Sequence, residues 1–233
     1  MSKLNVIIGY DDWKVKVFQL RHMFIAGSAG TGKSYHLRSM LSSIVSLNKD
    51  FTLHLYSPRT IDYNMNNLVM HNIPRMEDTK QHNKYILSDM RELLESRKYM
   101  INNLEVEPTK FKPAVYVFDD VIRNASNDDE TMQLLRDVLA YGDSCCITFI
   151  VTSQSHYEFG TNLTDSVPIR IVHRCLEEVS EALVGSTVAA SADFGYRHKI
   201  AVRMKEDIEP IVLDSYTITE EQGTNIIRLV SYV

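Results

Sequence analysis

The sequence predicts an α/β fold, a mainly parallel sheet with helices on both faces. Short apolar runs ending on Gly, Pro or Asp alternate with segments of helical spacing. Several of these runs are apolar throughout, as strands buried on both faces are. A glycine-rich loop stands between one such run and the helical segment after it. Core strands alternating with amphipathic helices bury both element types only as layers around one sheet.

Residues 4–8 and 14–20 are rich in β-branched side chains and flank a turn at 9–12, so they read as a strand pair. Residues 22–26 (HMFIA) form a buried strand that stops at Gly27. From Lys33 the spacing changes: Leu37, Met40, Leu41, Ile44 and Val45 share one helical face, ending before residues 48–50. Residues 51–56 (FTLHLY) are a second core strand, stopped by Ser57 and Pro58. A polar segment follows. A long helix is then expected over residues 79–103, with Ile86, Met90, Leu93, Leu94 and Met100 as its stripe. Residues 114–118 (AVYVF) are a third strand, residues 130–141 a helix, and residues 146–151 (CITFIV) a fourth strand. Residues 169–173, 199–202 and 210–213 read as further strands, and residues 219–233 as a closing helix with Thr219 as its N-cap.

The chain has 233 residues, 44% hydrophobic and 24% charged, enough for one large α/β domain with a core of normal size. We read residues 1–233 as a single unit: lead-in strands over 1–20, a core over 21–175, and C-terminal strands and a helix over 176–233. The net charge of −5 gives no support to non-specific coating of nucleic acid, which usually needs a basic surface. It leaves open DNA contact through a few Lys and Arg residues in a ring channel. The densest basic stretch is Arg197, His198, Lys199, Arg203 and Lys205, either a solvated strand face or a phosphate contact. Cys145, Cys146 and Cys175 make no disulfide framework, which suits reduced thiols. The eight histidines show no metal-ligand spacing. Neither a secretory leader nor a run of about 18 apolar residues is visible. The expectation is a cytoplasmic location without direct membrane insertion.

The chemistry concentrates at Gly27-Ser28-Ala29-Gly30-Thr31-Gly32-Lys33-Ser34, a full match to G-x-x-x-x-G-K-[ST] between a strand and a helix. The glycines permit backbone angles that let the loop curl around an anion. Its N–H groups and the helix N-terminus then point at phosphate oxygens. Lys33 is expected to reach the β- and γ-phosphates of ATP, and the Ser34 hydroxyl to ligate Mg²⁺. Tyr35, next in the chain, is counted with the nucleotide-binding residues. The partner carboxylate should end another core strand, and Asp119 follows the apolar run Val115-Tyr116-Val117-Phe118. Asp119 is read as the Mg²⁺-side carboxylate. Asp120 is read as the group that orients or deprotonates the attacking water. Gln154, after the strand ending Thr152-Ser153, could sense the γ-phosphate, hold the water or tie two loops together.

Together these stretches resemble the motor domain of the FtsK/HerA superfamily, a RecA-like P-loop NTPase, nearer its FtsK/SpoIIIE side. The resemblance rests on the lead-in from Val6 to Met23, on Glu95-Ser96-Arg97-Lys98-Tyr99, on Phe118-Asp119-Asp120, on Phe149 to Gln154, and on Val167-Pro168-Ile169-Arg170-Ile171. It implies a homo-oligomeric ring, usually a hexamer, that spends ATP to move double-stranded DNA or polypeptide through its centre. By this resemblance the chain would be a stand-alone motor for viral or phage genome packaging, or for DNA transfer by a mobile element. A portal, a capsid or a secretion complex would be its partner, and the host cytoplasm its location if viral. The protein-secretion motors of the family and a weakly hydrolysing assembly module are the alternatives. Two departures stand out. The family usually has Asp-Glu where this chain has Asp119-Asp120. It also carries an arginine, acting on the neighbouring subunit's ATP, where this chain has Asp143. Arg97, Arg136, Arg170 and Arg174 are the candidates to replace it, each read otherwise as a surface salt bridge, with Arg170 placed among the catalytic residues.

Overall fold

The computed structural model describes residues 4–12, 14–58, 68–71, 73, 76–154, 156–191, 194 and 199–215. They hold ten strands: β1 (Asn5–Asp11), β2 (Lys14–Gln19), β3 (Met23–Ala26), β4 (Thr52–Tyr56), β5 (Leu68–His71), β6 (Ala114–Asp119), β7 (Ile147–Ser153), β8 (Ile169–Val172), β9 (Lys199–Met204) and β10 (Ile211–Ser215). The helices are α1 (Lys33–Leu47), α2 (Thr79–Leu104), α3 (Asp129–Cys145), α4 (Thr161–Ser166) and α5 (Glu177–Val184). All ten strands join one sheet in the order β2-β1-β10-β9-β8-β3-β7-β6-β4-β5. From β5 to β8 every pairing is parallel; from β8 through β9, β10 and β1 to β2 every pairing is antiparallel. The fold is the expected α/β class, with a mixed, mostly parallel sheet.

Alternation along the central strands assigns the two cores. Phe24 and Ala26 of β3 face one side with Tyr116 and Phe118 of β6 and Phe149 of β7, under α2, α3 and α5. Met23 and Ile25 face the other side with Val115, Val117 and Ile150, under α1. Each fully buried side chain of this size contributes roughly 1.5–3 kcal/mol. A one-residue slip of β6 would exchange both faces at once and would also bury Asp120 in place of Asp119.

Helix starts follow local chemistry. Asp78 caps α2, accepting from the N–H groups of Lys80 (2.9 Å) and Gln81 (3.1 Å). Asp128 caps α3, accepting from Thr131 N (3.4 Å) and Thr131 Oγ1 (2.6 Å). Against α1 lies β1: Ile7 N donates to Ser43 Oγ (2.9 Å), and Asn5 N to Asn48 Oδ1 (2.7 Å).

Three elements lie outside the sequence reading. The edge strand β5 falls in the segment read only as polar, and α4 (TNLTDS) has no apolar stripe. By contrast α5 does carry signals: acids in its first turn, Val179 and Leu183 one turn apart, and Gly185 at its end. The lead-in strands belong to the sheet, because β10 pairs with β1. Gly9 permits this approach, since a Cβ there would meet Asp214 O at 2.6 Å. The expected helix over 219–233, and Arg197 and His198 of the basic stretch, lie outside the described residues.

Candidate active site

The chain leaves β3 at Ala26 and turns at once. Gly27 has φ 153°, and a Cβ there would sit 2.6 Å from that of His173. Gly30 (φ 76°) and Gly32 (φ 95°) also lie in the region that favours glycine, and Gly32 precedes α1 directly. The loop is tied down beneath. His173 N donates to Ala26 O (2.8 Å), Ser28 N to Arg174 O (3.0 Å), and Thr31 Oγ1 to Ser28 O (2.8 Å). Lys33 is buried, and its Nζ donates to Gly27 O (2.6 Å) and Ser28 O (3.1 Å). Its ammonium therefore lies across the inside of the loop.

Across the cleft, Asp119 ends β6 and is only 4% exposed. Its Oδ2 accepts from Ser57 Oγ (3.0 Å) and its Oδ1 from Thr152 Oγ1 (2.9 Å), which fixes the carboxylate plane. Asp120, the next residue, is exposed and adopts φ 56°. That left-handed turn swings its side chain to Gln154, whose Nε2 donates to Asp120 Oδ2 (3.0 Å). A cleft of about 320 Å³ is lined by Ala29, Gly30, Gly32, Lys33, Ser34, Tyr35, Pro58, Asp119, Asp120, Thr152 and Gln154. It opens at the carboxyl ends of β3, β6 and β7, where parallel sheets bind ligands.

An oxygen set of hydroxyl and carboxylate suits a hard divalent cation. Ser34 and the oriented Asp119 line the same cleft, so the residues present fit Mg²⁺.

The cleft thus gathers Lys33, Ser34, Tyr35, Asp119, Asp120 and Gln154 as the sequence predicts, and Asp120 with Gln154 as a bonded pair. Arg170 is not among them. It is 5% exposed on β8, donating from Nη1 to Asp165 Oδ1 (2.9 Å), and cannot reach a neighbouring molecule from there. Of the other arginines, Arg97 is a buried staple, donating to Cys145 O (2.7 Å), Cys146 O (3.1 Å) and Lys112 O (2.7 Å). Arg136 is exposed on α3 and Arg174 is half-buried. Asp143 sits in the last turn of α3, before the start of β7, and is exposed. A seven-residue strand is about 23 Å long, so Asp143 lies at the opposite rim of the sheet from the cleft.

Sequence reasoning missed the support beneath the loop. His36 and His173 are both buried, with His36 Nδ1 3.0 Å from His173 Nε2. His36 Nε2 donates to Ile8 O (2.6 Å), and His173 Nδ1 lies 3.3 Å from Thr31 O. Burial holds His36 down to about 4. Burial, then His36 and Lys33, hold His173 well below the usual histidine range. Both rings are neutral at pH 7 and add no charge that competes with Lys33. His22 is structural: its Nδ1 accepts from Phe149 N (3.2 Å), and Gly142 packs against its ring. Only spacing could have hinted at Thr152 and Ser57, each a hydroxyl at the end of a core strand.

The model of the FtsK/SpoIIIE family matches residues 5–210. No curated protein matches the chain. Among solved structures, the cytoplasmic domain of the type VII secretion ATPase EccC from Thermomonospora curvata superposes with a TM-score of 0.75 at 14% identity, covering 99% of this chain and 31% of that one. The pCW3 conjugation coupling protein TcpA, solved with ATPγS, gives 0.67 at 15% identity, covering 98% and 71%. The DNA-packaging ATPase B204 of Sulfolobus turreted icosahedral virus gives 0.56 at 10% identity, covering 85% and 98%. At such identities these likenesses speak to the fold, and the chain spans under a third of the EccC domain. Among the described residues no helix is long and apolar enough to cross a membrane. A family match over most of the chain, together with a glycine loop facing a strand-end carboxylate pair, makes this protein an ATPase of the FtsK/SpoIIIE family.

Proposed function

We propose that this chain is a motor that hydrolyses ATP, with Mg²⁺, to translocate double-stranded DNA, in genome packaging or mobile-element transfer. The convergence of Lys33, Ser34, Asp119 and the Asp120–Gln154 pair on one cleft carries the reading. Loop N–H groups and Lys33 hold the triphosphate and neutralise charge that grows on the β–γ bridging oxygen. Mg²⁺, held by Ser34 and Asp119, supplies further charge stabilisation when bound. Asp120 accepts a proton from the attacking water, and the Gln154 amide fixes the carboxylate's orientation. The water oxygen bonds to the γ-phosphorus as the bond to the bridging oxygen breaks, giving ADP and phosphate. The chain acts as a homo-oligomeric ring, probed by a steep rise of activity with protein concentration. We place this activity in the cytoplasm, the host's if the chain is viral, with a portal or capsid as partner.

The test is ATP turnover with and without double-stranded DNA. Stimulation of at least severalfold supports a DNA motor; turnover blind to DNA at all protein concentrations refutes it. The second reading is a polypeptide motor. It is favoured by the EccC and EssC secretion ATPases among the neighbours, one solved with a signal sequence peptide. Stimulation by a substrate peptide and not by DNA would select it.

A further inference from the structure

The sheet face under α2 carries a second group of polar side chains, away from the cleft. His54 lies in β4 and His71 ends β5, and the register sets Tyr56 opposite His71. Asp89 descends on them from α2. His54 Nδ1 lies 3.1 Å from His71 Nε2, and His71 Nδ1 lies 3.4 Å from Asp89 Oδ2. Tyr56 Oη donates to the same carboxylate oxygen at 2.8 Å. Each imidazole stacks on a tyrosine ring. His71 stacks on Tyr56 (centroids 4.1 Å apart, planes 7° apart) and His54 on Tyr116 (4.6 Å, 13°). One donor atom from each of His54, His71 and Asp89 lies within 4.8 Å of the other two.

We propose that His54, His71 and Asp89 form a binding site for one divalent transition-metal ion of the zinc class. Two imidazole nitrogens and a carboxylate oxygen are a donor set that zinc accepts, while magnesium and calcium prefer oxygen alone. Zinc–nitrogen bonds of about 2.0–2.1 Å at a tetrahedral centre set two nitrogens about 3.3 Å apart, close to the separation of His54 and His71. The stacked rings are already oriented, so little rotamer freedom is lost on binding. The side chains of His71 (21%) and Asp89 (46%) remain accessible, which leaves an entry path and room for water as a further ligand. The strand that carries His54 runs on to Ser57, the donor to Asp119. An occupied site would pin that strand end and the sheet edge to α2.

The test uses the full chain, chelator-treated and nucleotide-free. Cobalt is titrated and followed by its visible d–d bands, and zinc is then titrated by calorimetry. One ion per chain is expected, with no thiolate charge-transfer band and with zinc displacing cobalt. Losing a hydrogen-bonded partner of a ligand costs about 10–100-fold and losing a ligand outright costs more, so His54→Gln, His71→Gln and Asp89→Ala should each weaken binding by at least about 100-fold. Ser34→Ala and Asp119→Asn should leave binding unchanged, which separates this site from the cleft. Circular dichroism and unfolding midpoints confirm that each variant is folded. Four results would overturn the proposal: no cobalt spectrum, a thiolate band, binding that survives in folded histidine variants, or binding lost with the cleft variants.

Discussion

Asp120→Asn isolates the chemistry of the cleft. Asp120 is exposed, touches Gln154 through one 3.0 Å hydrogen bond, and sits at φ 56°. Asparagine has the same shape and tolerates the left-handed region at least as well as aspartate. Its amide can turn its oxygen to Gln154 Nε2, so the bond survives. Stability should therefore change by less than about 0.5 kcal/mol, as for other surface substitutions. Nucleotide binding should hold, because the loop and Lys33 are untouched. What disappears is the proton acceptor. General-base catalysis is worth about 10²–10⁴-fold, so single-turnover hydrolysis should fall by about that factor. Asp120→Glu is informative beside it, because it moves the base by about 1.5 Å, and misplacements of about 1 Å cost on the order of 100-fold. Single-turnover hydrolysis with radiolabelled ATP, run beside fluorescent-nucleotide binding and a urea melt, reads all three quantities. Turnover within about threefold of wild type in a folded, nucleotide-binding Asn variant, against that 10²–10⁴ range, would show that Asp120 is not the base.

Lys33→Ala removes the ammonium that spans the loop. Charge-assisted bonds of about 1.5–3 kcal/mol correspond to about a 10- to 100-fold loss of ATP affinity. Turnover should drop below detection, and unchanged affinity would refute the site. One share of the pH dependence comes from His22, which is held down to about 4 by burial against its ordinary 6.5. Its folded pKa is depressed, so the unfolded chain binds the extra proton first and stability falls as pH drops from about 6.5 to 4. The full window is worth about 3 kcal/mol. Urea unfolding from pH 7 to 4 should show the decline, and His22→Asn, whose Oδ1 can still accept from Phe149 N, should make it shallower by that share, while His36 and His173 keep theirs. An identical slope in the variant would contradict the assignment.

Much of the cleft was legible because its requirements are local. A loop that wraps an anion needs glycine at positions such as 27, 30 and 32, and their spacing along the chain is the geometry itself. Four apolar residues in a row drive β6 into the sheet and set the next carboxylates at its end. The role of Gln154 stayed open because its partner, Asp120, is 34 residues away in the chain. The arginines misled for the same reason. Arg170 and Arg97 look like surface cations in one dimension, yet both are buried and bonded, one to a carboxylate and one to three carbonyls. No spacing rule joins His54, His71 and Asp89, which meet only because β5 pairs with β4 beneath α2.

By itself the amino-acid order determined which segments became central strands and helices, and where a triphosphate would be gripped. Hydrophobic period and glycine placement act over a few residues, so they are written in the chain directly. Tertiary structure alone decided which strands became neighbours, that β1 is joined to β10, and which polar side chains are held by partners. Periodicity assigns a residue to a face and leaves open what lies across from it. That choice belongs to packing between segments far apart in sequence, where burial energy is shared by both sides of a contact and encoded by neither alone.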